Sequence, residues 1–260
     1  MKRRRYRIPF ALGCEVGRDL IQGKQRTLAL DSTRLIQSLT PPVQVSGHEH
    51  IPPVGPLLVT ANHWQRPGLW IGWAGALIGD ALSRKRGSDS PIHWLVVDAW
   101  RTGYGSDRPF EVPGTRWIFR RVAHMYGMTT MGGPRESRLG QARALRAWFR
   151  GIEGSSAALG LFPEGETGAS GPPGPALPGV AHLISHVARR QVPVLPVAVW
   201  EEGATLRGRF GPLWYPPPDD RGEHGALDVE VTQRINVLLP EHLRRSPGSP
   251  MQPFGGRGDT

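Results

Sequence analysis

The chain has a single cysteine, Cys14, in 260 residues. One thiol excludes an intramolecular disulfide and any metal site built from several cysteines, and it suits a reducing compartment. Long apolar runs are missing too. No stretch of about 18 uncharged apolar residues occurs, so no transmembrane helix is expected. The nearest approach, Leu69 to Leu82, is short, glycine-rich and interrupted by Asp80. There is no internal repeat. Glycine (34) and proline (26) fall in local clusters without a period, which reads as long loops and a tail and not as a low-complexity protein. Acidic residues are few, 22 against 32 basic ones, for a net charge of +10.

Much of that surplus sits at the N terminus. Residues 1–26 hold Lys2, Arg3, Arg4, Arg5, Arg7, Arg18, Lys24 and Arg26 against Glu15 and Asp19, a surplus of six. Such a segment attracts anionic lipid headgroups by about 1 kcal/mol per basic residue near the surface. Nucleic acid would be attracted in the same way, and a solvated basic tail needs no partner at all. No aromatic-basic module accompanies the segment, so no specific nucleic-acid partner is expected. Met1 to Arg7 resembles the start of a signal peptide, but the apolar run Ile8 to Cys14 is about half the usual length, contains Pro9 and stops at Glu15.

The length suits one α/β domain, and 38% hydrophobic residues suffice for a sizeable core. Periodicity predicts a helix over residues 14–40, stopped by Pro41 and Pro42, then a short strand and turn from Val43 to Gly47. Leu57 to Ala61 reads as a buried strand, and a helix carrying Trp70, Ile71, Trp73, Leu77 and Ile78 follows. Arg84 to Ser90 reads as a loop, Ile92 to Val97 as a strand, and Gly103 to Pro113 as irregular. Trp117 to Met125 is helical, Tyr126 to Met131 a short strand, and Ser137 to Gly151 a helix with an apolar face. Ala157 to Phe162 is a strand, Gly168 to Pro178 a loop, and Val180 to Arg190 a helix. Val192 to Trp200 is of strand length; its two prolines, Pro193 and Pro196, predict a strand start and an edge or bulge, because proline cannot donate to a ladder. Arg207 to Phe210 is a strand and Val229 to Leu243 a closing helix. Strands alternating with helices predict an α/β fold with a central, mostly parallel mixed sheet flanked by helices. Three segments follow: a basic N-terminal segment and helix (1–42) with possible membrane-surface contact, the α/β domain (43–245), and a tail (246–260) of disordered composition. The Arg257-Gly258-Asp259 triplet in that tail reads as chance.

Two stretches carry chemistry. Asn62-His63 closes the run Leu57 to Ala61. A histidine at the carboxyl end of such a strand lies where open α/β sheets bind ligands, and imidazole can take a hydroxyl proton near neutral pH. A lone histidine more often only hydrogen-bonds there. About a hundred residues on, Leu161-Phe162-Pro163-Glu164-Gly165 puts a carboxylate on a strand-to-loop turn. Proline and glycine favour such a turn anyway, and a glutamate there can simply be solvated.

Together these stretches resemble the glycerolipid acyltransferase family, whose familiar members are the 1-acylglycerol-3-phosphate acyltransferases. Asn62-His63 is similar to the family's first block, Trp117 to Gly133 occupies the place of the second, Leu161 to Gly165 matches the third almost letter for letter, and Val192 to Val197 resembles the fourth. Val45 to Pro52 and Arg209 to Leu213 resemble flanking pieces, so the resemblance covers about residues 43–243. It implies that His63 is the catalytic general base on an acceptor hydroxyl, whose oxygen attacks the thioester of an acyl-CoA or acyl carrier protein co-substrate. Glu164 and Gly165, with Phe162 and Pro163, would position the acceptor, and Pro193 and Pro196 would shape the sheet near the acyl chain. It implies no metal and no redox cofactor. The partners would be an acyl thioester donor, a lysophospholipid or other lipid-like alcohol, and an anionic membrane bound peripherally on the cytoplasmic face, in phospholipid biosynthesis.

The chain departs from the family pattern at Gly68, where the family has an aspartate that orients the imidazole and stabilises its cation. Replacing the analogous carboxylate in a serine-protease triad lowers turnover on the order of 10⁴-fold. Asp80, Asp98 and Glu166 are candidates to substitute through space, and Arg66 beside His63 would oppose its protonation. Arg135 is the nearest match to the arginine that holds an acceptor phosphate, with Arg138 as another. Gly68 keeps a second reading open: a lipid- or acyl-binding protein of the same fold with impaired chemistry. Trp64, Trp70, Trp73, Trp94 and Trp100 cluster near the first block and read as a mixture of core and interfacial residues.

Overall fold

The computed structural model of the chain describes residues 6–88, 90–102, 110–132, 137–152, 157–165, 171–217 and 224–245. Among these the frame is a seven-stranded sheet. In chain order its strands are β1 (Gln44–Ser46), β2 (Leu57–Ala61), β3 (Ile92–Val97), β6 (Thr129–Met131), β7 (Ala158–Leu161), β8 (Val194–Glu202) and β9 (Thr205–Phe210). Their spatial order is β1-β9-β8-β2-β7-β3-β6. Every neighbouring pair is parallel except the β8–β9 hairpin. A separate two-stranded ribbon joins β4 (Arg101–Thr102) to β5 (Phe110–Glu111). The expected α/β architecture is therefore present.

Helices cover both faces, so β2 is buried at all five positions and reads as a nearly continuous apolar run, broken only by Thr60. Leu57, Val59 and Ala61 point into a core shared with Ile36 of α2 (Leu28–Gln37) and Trp73, Leu77 and Ile78 of α3 (Gly72–Arg86). Leu58 points the other way, toward Trp148 and Phe149 of α5 (Arg138–Phe149), Leu183 and Ile184 of α6 (Val180–Ala188) and Val231 of α7 (His224–Asn236). The period-2 alternation of a strand sorts these side chains between the two layers.

Several expectations change, among them the stretch Gly103 to Pro113 read as irregular, in which Phe110–Glu111 is a strand. The single helix over 14–40 is two helices, α1 (Phe10–Gln22) and α2. Gly23 ends α1 in the left-handed conformation at φ 70°, a backbone state that favours glycine. Arg26, in the break, bonds Asp19 of α1 and Asp31 of α2 and holds the two helices together. Trp70 and Ile71 precede α3, and that helix runs on to Arg86 through part of the expected loop. The closing helix ends at Asn236, with a separate single turn at Glu241–Leu243.

Pro196 lies inside an interior strand and not at an edge, but at an irregularity. Gly211 donates its N–H to the Pro196 carbonyl, while Val194 and Trp214 exchange both bonds of a bridge. One residue, Leu195, lies between the pair on β8 and two, Pro212 and Leu213, lie between their partners, so the opposite chain carries one extra residue. The missing proline donor falls where the ladder is already broken. The tail at 246–260 lies outside the described residues. Among those described, no helix is long and apolar enough to cross a membrane.

Candidate active site

Because β8, β2, β7 and β3 are parallel neighbours, their carboxyl ends share one edge of the sheet, and the sequence motifs meet there. Asn62 follows β2. Its side-chain amide donates to the Val199 carbonyl at 2.8 Å and accepts the Val199 N–H at 2.7 Å. The amide thus acts as an extra rung between β2 and β8, and it fixes where the next residue, His63, begins.

His63 is 8% exposed. Its backbone N–H donates to Oε1 of Glu164 at 2.8 Å, and the other carboxylate oxygen of Glu164 accepts the Gly174 N–H at 2.6 Å. Glu164 is itself buried. It ties the loop after β2, the turn after β7 and the Gly/Pro loop together through main-chain donors. Burial pushes its carboxyl up from the usual range, and the two N–H bonds oppose that shift. The turn fits tightly: Gly165 has φ 66°, a Cβ there would meet Leu177 at 2.3 Å, and the Pro163 carbonyl accepts the Leu177 N–H.

The His63 ring stands edge-on to Phe162, with centroids 5.7 Å apart, and Phe162 stacks on Trp94 at 4.8 Å with planes 8° apart. Burial lowers the imidazole pKa to about 4, so it is neutral at pH 7. Nδ1 is buried without a hydrogen-bond partner among the described residues, whereas Nε2 is not shut in. A proton can therefore be taken at Nε2, but the N–H then required at Nδ1 finds no side-chain acceptor among the described residues.

Gly68 explains the missing carboxylate. Arg66 and Leu69 exchange both backbone bonds around Pro67-Gly68, and Gly68 has φ 86°. A Cβ at Gly68 would have Arg66 Nη1, at 4.0 Å, as its neighbour, and no His63 atom lies within that distance. The proposed substitutes are engaged elsewhere. Asp80 accepts from Thr33 and Arg84, and Asp98 pairs with Arg116. Glu166 and Arg135 lie outside the described residues. Arg138 opens α5 and is exposed. Arg66 is not the unbalanced charge its sequence position suggests. Its guanidinium binds Glu201 bidentately at 2.5 Å, and Tyr6 donates to the same carboxylate.

The structure thus brings His63, Phe162, Pro163, Glu164 and Gly165 together. Sequence reasoning missed Trp94, Gly174 and Glu201. Gly174 left no signal beyond the Gly/Pro richness of its loop. The tryptophans near the first block do divide: Trp64, Trp73 and Trp94 are buried, while Trp70 and Trp100 are exposed.

No family model matches the chain, and no curated protein matches it. Among solved structures, the 1-acyl-sn-glycerophosphate (LPA) acyltransferase PlsC from Thermotoga maritima is similar at 19% identity and a TM-score of 0.49, over 81% of this chain and 76% of that one.

Proposed function

We propose that this chain is an acyltransferase. It moves a fatty acyl group from an acyl-CoA or acyl carrier protein thioester to a hydroxyl of a lysophospholipid or another lipid-like alcohol. The observation that carries this reading is the bond from Glu164 to the His63 main chain, which joins two motifs 101 residues apart at the carboxyl edge of the sheet. His63 Nε2 takes the proton of the acceptor hydroxyl as its oxygen forms a bond to the thioester carbonyl carbon. The carbon–sulfur bond then breaks, the ester remains, and the thiolate leaves with the proton returned from His63. Glu164 acts as a positioning residue, since two backbone donors occupy its oxygens. Phe162 and Trp94 give the ring an apolar wall. An acceptor of this kind resides in a bilayer, so peripheral attachment to the cytoplasmic face of the membrane belongs to the proposal.

The test is thiol release from a panel of acyl-CoA donors and alcohol acceptors. Release should require the acceptor and fall by about 10²-fold or more in His63→Ala. No release with any pair, or release indifferent to that substitution, overturns the reading. The unpartnered Nδ1 favours a second one, an acyl-binding protein without turnover; saturable binding of a fluorescent acyl chain with no thiol release would select it.

A further inference from the structure

The described surface carries an apolar-basic edge that the site does not use. Trp100, just before the β4–β5 ribbon, and Phe110 on it are 61% and 62% exposed, and Trp117 and Ile118 in the first half of α4 (Thr115–Tyr126) are 52% and 45% exposed. They belong to one structural unit. Trp100 donates its N–H to the Thr115 hydroxyl and accepts the Val112 N–H, so the ribbon is stitched to the start of the helix. Arg116 pairs with Asp98, just beyond the carboxyl end of β3, and pins that start to the sheet. From there α4 must carry the chain back to the amino end of β6, because β3 and β6 are parallel. All four apolar side chains therefore lie toward the edge of the sheet that also holds His63.

The charge of this edge selects its partner. α4 contains no acidic residue. Arg116 is committed to Asp98 and Glu111. Arg120 is exposed and Arg121 half-buried; Arg121 lies over the Trp117 ring at 5.6 Å, with its Nη1 beside Gly23 at the end of α1. Indoles with an arginine on the same helix turn suit the headgroup depth of a bilayer, where the ring is half solvated and the guanidinium meets anionic lipid. Exposed aliphatic Ile118 has no stacking role on a nucleic-acid base, which favours lipid over a polynucleotide.

We propose that the β4–β5 ribbon and the first half of α4 form the face that lies on an anionic lipid surface, through Trp100, Phe110, Trp117, Ile118, Arg120 and Arg121. This docking is separate from residues 1–7 and does not depend on the acyl-transfer chemistry. Flotation with vesicles of equal parts phosphatidylglycerol and phosphatidylcholine tests it, with phosphatidylcholine vesicles and a single-stranded oligonucleotide as the other arms. Trp117→Ala with Ile118→Ser, and Arg120→Gln with Arg121→Gln, should each weaken binding to the anionic vesicles about tenfold or more. They should do so equally in a chain lacking residues 1–7. Because Cys14 is the only cysteine, a Cys14→Ser, Ile118→Cys chain takes one polarity-sensitive label, whose emission should shift to the blue on those vesicles. The proposal fails if the full chain binds no vesicle, if both pairs change binding less than twofold, if the label stays unshifted on bound protein, or if only the oligonucleotide binds.

Discussion

The carboxylate of Glu164 holds His63 by its backbone N–H and leaves the imidazole alone. The ring therefore gains position from Glu164 but no stabilisation of its cation, and its basicity is set by burial. Between about pH 4 and 6.5 an unfolded chain would bind a proton at His63 that the folded chain does not. Stability should fall as pH drops through that window, by about 3 kcal/mol in all. Glu164 works in the other direction, because its raised carboxyl protonates more readily in the folded state. The His63 share is isolated by comparing urea denaturation of wild type with His63→Asn, whose profile should lack that fall. Parallel profiles would show that the ring is not desolvated.

Gly68→Asp places a carboxylate in the tight turn after His63. At φ 86° a side chain costs about 1–2 kcal/mol, and its Cβ would have Arg66 Nη1 4.0 Å away to compete for the carboxylate. Thermal melting should report the loss, with no gain in thiol release. A tenfold faster reaction would mean that the turn relaxes and delivers the carboxylate to Nδ1.

Gly160 sits in β7 between Val59 and Trp94, and a Cβ there would meet the Trp94 ring at 2.4 Å. Gly160→Ala should displace that ring from Phe162, destabilise the fold by about 1–3 kcal/mol, and change the near-ultraviolet dichroism. An unchanged spectrum and melting temperature would show that the Trp94–Phe162–His63 stack is not tightly packed.

Asn62→Ala leaves a buried N–H and a buried carbonyl of Val199 without partners, at about 2–4 kcal/mol in total. Asn62→Asp keeps the size but sets an anion against the Val199 carbonyl, so it should not rescue stability at pH 7. Urea midpoints decide this; a change in either variant below about 0.5 kcal/mol would contradict the extra-rung role.

The strands and the motif positions were legible because their signals are local: four apolar residues in the five before Asn62, and a proline and glycine around Glu164. Partners were not legible. What Glu164 binds depends on Gly174, ten residues on in a loop whose composition marks only a turn, and on the parallel pairing of β2 with β7. Arg66 looked like a neighbour of His63 because it is near in sequence, yet the Pro67-Gly68 turn sends its guanidinium to Glu201 on β8. The break at Gly23 was hidden because apolar residues keep a helical spacing on both sides of it. Pro196 marked an edge or a bulge, and its own strand could not decide between them because the extra residue lies on the opposite chain.

The central claim is a neutral His63 acting as the base. The most direct measurement is the rate of thiol release against pH, for wild type and His63→Ala, with one productive donor and acceptor. A His63-dependent rate that is level through neutral pH and falls only as pH approaches about 4 is the predicted result. A rate that does not depend on His63, or an acid limb at or above 6.5, would contradict it.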